Sequence, residues 1–126
     1  MNLQQYFQSV DGVGIFATAD AAGKVDLAIY EKPQIVDEAT IAFNMTPRLS
    51  YQNLQSNPHA AYMFIENSMG WNGKRLYLTK LSETPGPERV KELRAAGQHV
   101  TDPAQANKYY VRFSVDDLRP AVGDLS

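Results

Sequence analysis

Residues 43–58 read Phe43-Asn44-Met45-Thr46-Pro47-Arg48-Leu49-Ser50-Tyr51-Gln52-Asn53-Leu54-Gln55-Ser56-Asn57-Pro58. Two periodicities meet there. Ile41, Phe43 and Met45 alternate with period two, the pattern of a strand with one buried face. Thr46-Pro47-Arg48 breaks the alternation. Thr46 suits a helix N-cap and Pro47 suits the first helical position. Leu49, Asn53 and Leu54 then recur at helical spacing until Asn57-Pro58 stops the turn. From His59 to Glu66 the period returns to two. The stretch predicts strand, short helix, strand. A helix start of this kind presents free N–H groups and the positive end of the helix dipole. Arg48 adds a fork of donors matched to phosphate oxygens, and Thr46 and Ser50 add hydroxyls. The set suits a phosphate cradle. It equally suits a capped helix with an exposed arginine, and the spacing leaves both open.

Upstream, Leu3, Tyr6, Phe7 and Val10 recur at helical spacing and Asp11-Gly12 ends that helix. Val13, Ile15 and Ala17 predict a first strand. Asp20-Ala21-Ala22-Gly23 predicts a turn, and Val25, Leu27 and Ile29 a second strand paired as a hairpin. Pro33 marks a bend or an edge position in it, and Asp37-Glu38 turns the chain into the third strand. Downstream, Arg75 to Leu81 alternates after the glycine-flanked loop Asn67–Gly73. Thr84-Pro85-Gly86-Pro87 opens a helix over Glu88–Ala96, with Val90 and Leu93 facing inward and Gly97 closing it. A polar connection, Gln98 to Asn107, leads to a last strand over Tyr109–Val115. Residues 119–126 read as a loose tail. The fold class is mainly β with short helices: six strands in a closed or partly closed antiparallel barrel. A parallel βαβ sheet would need a helix after nearly every strand. Gly12-Val13-Gly14 lacks a third glycine and leads into a strand, so it is no dinucleotide fingerprint.

At 126 residues the chain is expected to form one domain, residues 1–126. It has no cysteine and two histidines, His59 and His99. Disulfides, thiolate catalysis and cysteine zinc sites are excluded, and a histidine metal site or relay is disfavoured, so no metal is expected. The net charge of -2 argues against a nucleic-acid partner, although Tyr109, Tyr110 and Arg112 interleave aromatic and basic groups. The charge is uneven. Residues 1–70 hold three basic and seven acidic groups, whereas residues 71–112 hold eight and four. The basic middle is either a solvated face or faces an anionic ligand or the acidic part of a second subunit. The start of the chain lacks a signal-peptide pattern, and no apolar run reaches the length of a membrane span. A cytoplasmic protein with no membrane partner is expected. Glu31, Glu66 and His59 read as solvated or structural strand-end groups, and Tyr30, Tyr62 and Tyr77 as core or interface residues.

The order of these pieces resembles the flavin mononucleotide (FMN)-binding split β-barrel superfamily, the group of pyridoxamine 5′-phosphate oxidase and its small relatives. The resemblance is carried by Thr46-Pro47-Arg48-Leu49-Ser50 and then Asn53-Leu54-Gln55-Ser56-Asn57-Pro58. The strand Val13–Ala19, the glycine turn before Val25 and the helix after Pro87 support it, so that residues 3–115 are covered. It implies an FMN-type split barrel with FMN as cofactor. Arg48 and Ser50 would hold the phosphate, with Leu49 between them. Ser50 stands where many members have lysine, which leaves Arg48 as the one cation on the helix. Met45 and Thr46 would lie near the ribityl chain or ring. Asp26, Leu27, Ala28 and Ile29, on the strand ending at Tyr30, would offer backbone groups to the flavin ring. The resemblance also implies a homodimer with the flavin at the interface, and Trp71 with Asn72 as the partner's contribution. The implied function is oxidoreduction through bound FMN. A non-catalytic electron carrier and a relative that binds deazaflavin or heme are the alternatives. A small flavin reductase-like protein suits the chain better than a full pyridoxamine 5′-phosphate oxidase, whose longer C-terminal part helps bind the pyridoxal substrate.

Overall fold

Pro33 turns one predicted strand into two. A computed structural model describes residues 2–100 and 107–123. In it β1 spans Gly12–Ala19 and β2 spans Val25–Tyr30, paired as an antiparallel hairpin with Ala17 opposite Leu27. After the corner at Glu31–Pro33 the chain does not continue β2. It forms β3, Gln34–Asp37, which pairs instead with β4, Thr40–Met45. Proline has no N–H for a ladder and restricts the residue before it, so a corner is the natural place for it. The remaining strands are β5 (His59–Glu66), β6 (Gly73–Pro85) and β7 (Tyr109–Pro120). The described sheet therefore has seven strands rather than six, in the order β2-β1-β5-β6-β7-β4-β3.

That order decides the shape. β2 and β3 stand at opposite ends of the sheet, yet three residues join them. A link so short requires the sheet to roll until its ends come together. The rings agree: Phe16 on β1 lies 5.2 Å from Phe43 on β4 and 5.6 Å from Phe113 on β7, centre to centre. No ladder joins β2 to β3, so the roll is held along its seam by side chains and not by backbone hydrogen bonds. This is an open, split barrel: of the closed and partly closed forms expected, the sheet is not closed.

The core fills the roll with Phe16, Ile41, Phe43, Met45, Tyr62, Phe64, Leu76, Leu78, Val111 and Phe113. Helix α1, Leu3–Ser9, adds Leu3 and Phe7, and Asn2 caps it by accepting from Gln5 N–H at 3.1 Å. Lys32 donates to the carbonyls of Phe7 (2.8 Å) and Val10 at its other end. Helix α2 spans Leu49–Ser56 and α3 spans Gly86–Ala95. Gly97 closes α3 in the left-handed region at φ 85°, as its position predicts. Val90 and Leu93 are only half-buried, and Gly86 is the one buried residue of α3.

Two boundaries move. Thr46 does not cap α2 and Pro47 is not its first residue. The Arg48 N–H is spent on the Thr46 carbonyl at 2.7 Å, a tight turn that delays the helix and makes Arg48 the N-cap. β6 and β7 outrun the expected Arg75–Leu81 and Tyr109–Val115. Register shifts at Tyr77/Leu78 and Lys80/Ser82 interrupt their alternation, which hides the continuation. The supposed tail begins inside β7, where Arg119 pairs with Arg75. Residues 101–106 of the polar connection and 124–126 of the tail lie outside the described residues.

Candidate functional site

The seam opens into a groove of about 550 Å³. Its walls come from β2 and the following corner, from β4, and from the start of α2, with Lys108 at one end. Three elements hold α2 in place. Asn53 Nδ2 donates to Thr18 Oγ1 at 3.0 Å, with both residues buried, and ties the helix to β1. Tyr51 donates its hydroxyl to Glu83 on β6, and Gln55 Nε2 donates to the same carboxylate at 3.1 Å. The Tyr51 ring also stacks on Tyr109 of β7 at 4.4 Å. Burial and the Glu83 carboxylate push the Tyr51 phenol up, so it stays a donor. With its base fixed in this way, α2 directs its first turn at the groove.

That first turn is open. Its first intrahelical bond runs from Gln52 N–H to the Arg48 carbonyl at 2.9 Å, which leaves the earlier N–H groups without helical partners. Arg48 provides no side-chain cap, and the turn contains no acidic residue. Ser50 is 5% exposed, and its Oγ donates to Asp26 Oδ2 at 3.3 Å. Tyr30 stacks on Phe16 at 4.8 Å. Burial pushes its phenol up, hydrogen bonding with Ser50 opposes this, and the Asp26 charge adds to it.

The other groove wall is placed by a buried tyrosine. Tyr62 crosses the core and donates to the Glu31 carbonyl at 2.9 Å, at the corner after β2. Gly14 makes room for it, since a Cβ at that position would fall 2.0 Å from the Tyr62 hydroxyl.

Of the ten residues expected from sequence to meet the cofactor, Asp26, Leu27, Ala28, Ile29, Thr46, Arg48, Leu49 and Ser50 line this one groove. Met45 does not: it is fully buried in the core on the inner face of β4. Trp71 is 77% exposed on the β5–β6 loop, away from the groove lining. Glu66 is also distant, accepting from the Tyr6 hydroxyl at 2.7 Å, and exposed His59 has its Nδ1 3.4 Å from Thr79 Oγ1. Glu31 does line the groove. Asn44 and Lys108 are groove residues that sequence reasoning passed over, and the Tyr30 side chain, read as core or interface, also lines the groove. The alternation of β2 could have found Tyr30, because it shares a face with Asp26 and Ala28. Lys108 had no such signal, because its place depends on the β4–β7 pairing.

The fold matches known structures. An FMN-binding protein from Syntrophomonas wolfei subsp. wolfei superposes with a TM-score of 0.71 at 16% identity, over 93% of this chain and 82% of that one. A candidate pyridoxamine 5′-phosphate oxidase from Lactobacillus delbrueckii matches at 0.71 and 13% identity, over 94% of this chain and 91% of that one. The chain has the split-barrel fold of these proteins. An F420 reductase shares it at a TM-score of 0.66 and 16% identity, over 90% of this split barrel and 94% of that chain. No protein-family model and no curated protein matches the sequence. No helix of the described split barrel is long and apolar enough to cross a membrane.

Proposed function

We propose that this split barrel is a pyridoxamine 5′-phosphate oxidase-like flavoprotein that binds FMN in the seam groove and acts as an oxidoreductase. The observation that carries the reading is the convergence of the β2 backbone and the uncapped start of α2 on one groove, with Arg48 and Ser50 between them. The donor set fits a phosphate, and the volume falls in the range of small-molecule sites. Arg48 would hold the phosphate with the first-turn N–H groups of α2, and Thr46 would face the ribityl chain. The free edge of β2 would offer backbone groups to the ring. FMN, when bound, supplies the one- and two-electron chemistry that the protein's own side chains lack. The protein's part is to bind, orient and shield.

A second copy of the chain would complete the site. β2 is an edge strand, and its outward residues Val25, Leu27 and Ile29 are 78%, 70% and 81% exposed. A contiguous apolar row on a free edge is a surface that a soluble chain usually covers. The row borders the groove, so a partner seated there would wall it. Trp71 and Asn72 of that partner are the residues proposed to reach it.

Arg48 and Lys108 at the groove also suit a deazaflavin with an anionic tail, while the Lys32 ammonium is held by the carbonyls at the end of α1. The test is to incubate the purified protein with FMN, desalt it and record the visible spectrum. Retained flavin absorbance that NADH or NADPH bleaches supports an oxidoreductase. Retained absorbance that neither bleaches favours an electron carrier. Loss of the flavin on desalting, with a deazaflavin retained in its place, overturns the FMN assignment.

A further inference from the structure

Asp26 is an anion at a position read as a phosphate site. The alternation of β2 turns Asp26, Ala28 and Tyr30 inward, and the Asp26 carboxylate accepts from Ser50 in the first turn of α2 at 3.3 Å. Its immediate polar company is Ser50 and Tyr30, both neutral, and across the β1 ladder stands Thr18. Asp26 forms no ion pair among the described residues, although Arg48, Lys32 and Lys108 line the same groove. The groove's other carboxylate, Glu31, lies at the corner after β2. An unpaired carboxylate beside an open helix start takes the role that an acidic first-turn residue often plays. Its charge stands one hydrogen bond from Ser50, where the FMN reading puts the ligand's phosphate.

We propose that Asp26 is a charge selector of the groove, opposing a ligand phosphate in proportion to that phosphate's charge. The inference rests on the FMN reading above, in which the phosphate lies at Arg48 and Ser50. A phosphate monoester carries between one and two negative charges near neutral pH, the pyrophosphate of FAD carries about one on each of its two phosphates, and an alcohol carries none. Asp26 therefore narrows the preference for the charged FMN over the uncharged riboflavin. Discrimination by a repulsive element is a common way to set specificity without a new contact.

The experiment compares FMN, FAD and riboflavin in fluorescence titrations of the purified full chain at low salt. Asp26→Asn keeps the shape and an acceptor for Ser50 while it removes the charge. FMN should bind roughly tenfold tighter to it, as expected for one unit charge a few ångström away in a half-exposed site. FAD, with about one charge on each of its two phosphates, should gain no more than FMN, and riboflavin should change by less than about twofold. The gain for FMN should shrink at high salt. An unchanged or lowered ratio of FMN to riboflavin affinity overturns the proposal. Asp26→Thr, well suited to a strand, carries the same expectation should the Asn variant not fold. Arg48→Ala separates the two readings. If it leaves the FMN to riboflavin ratio unchanged, the phosphate is not at α2 and the placement of FMN fails. If it lowers the ratio while Asp26→Asn leaves it unchanged, only the selector fails.

Discussion

Gly14 has no room for a methyl group. A Cβ there would meet the Tyr62 hydroxyl at 2.0 Å and the Tyr30 carbonyl at 2.5 Å. The Tyr62 hydroxyl cannot retreat freely, because it satisfies the Glu31 carbonyl from a side chain that is fully buried. Gly14→Ala should therefore destabilise the fold by about 1–3 kcal/mol, the usual range for forcing an extra methyl into a packed site. Urea unfolding measures this, and an unchanged midpoint would contradict it. Neither residue of the pair announces itself in the sequence. Gly14 reads as part of an incomplete glycine motif, and Tyr62 as one more apolar member of an alternating strand. Their contact joins β1, β5 and the corner after β2, and no local period reports such a meeting. The shared place of Arg48 and Ser50 at the groove was legible because it is local: both belong to one turn at the start of one helix.

Among the elements, α2 matters most, and Glu83 is the anchor on which it rests. Burial raises the Glu83 pKa, but hydrogen bonds from Lys80, Tyr51 and Gln55 together with the Lys80 charge outweigh that, so the net shift is downward. A carboxyl whose folded pKa is depressed adds stability above its unfolded pKa and loses it as the pH falls through the folded value. Stability from Glu83 should thus be present at neutral pH and disappear below about pH 4. Wild-type protein should lose more stability than Glu83→Gln when both are unfolded in urea at pH 7 and pH 3. Equal losses would remove Glu83 from the account of acid stability.

The exposed face of β2 bears on assembly. If a second copy covers Val25, Leu27 and Ile29, then Leu27→Lys should shift a dimer to monomer in light scattering without changing the far-ultraviolet circular dichroism. An unaltered dimer would place the interface elsewhere. β2 was read correctly as an alternating strand. Its position at the sheet edge was signalled only by Pro33, read as a bend or an edge position, because edge and centre differ in pairing and not in period.

For the whole molecule, the decisive event is the corner at Pro33. It sends the chain from one end of the sheet to the other, rolls the sheet, and leaves a seam without a ladder. The groove is that seam. The sequence shows the proline, the hairpin before it and the strand after it. It does not show that Gln34–Asp37 pairs with β4, since four residues with one bulge carry little periodic signal. This is why six strands were expected and seven are found. The bulged ends of β6 and β7 were hidden for the same reason. What could be read was the strand-helix-strand order through residues 43–58, whose periods are local, although its cap was misplaced at Thr46. The helix start it predicts, displaced by two residues, now borders the groove.

The central claim is that this helix start holds the phosphate of a flavin. A fluorescence titration of FMN with wild-type protein and with Arg48→Ala tests it most directly. The loss of charge-assisted hydrogen bonds should weaken FMN binding by about 1–3 kcal/mol while riboflavin binding changes little. Equal FMN affinity for the two proteins would contradict the claim.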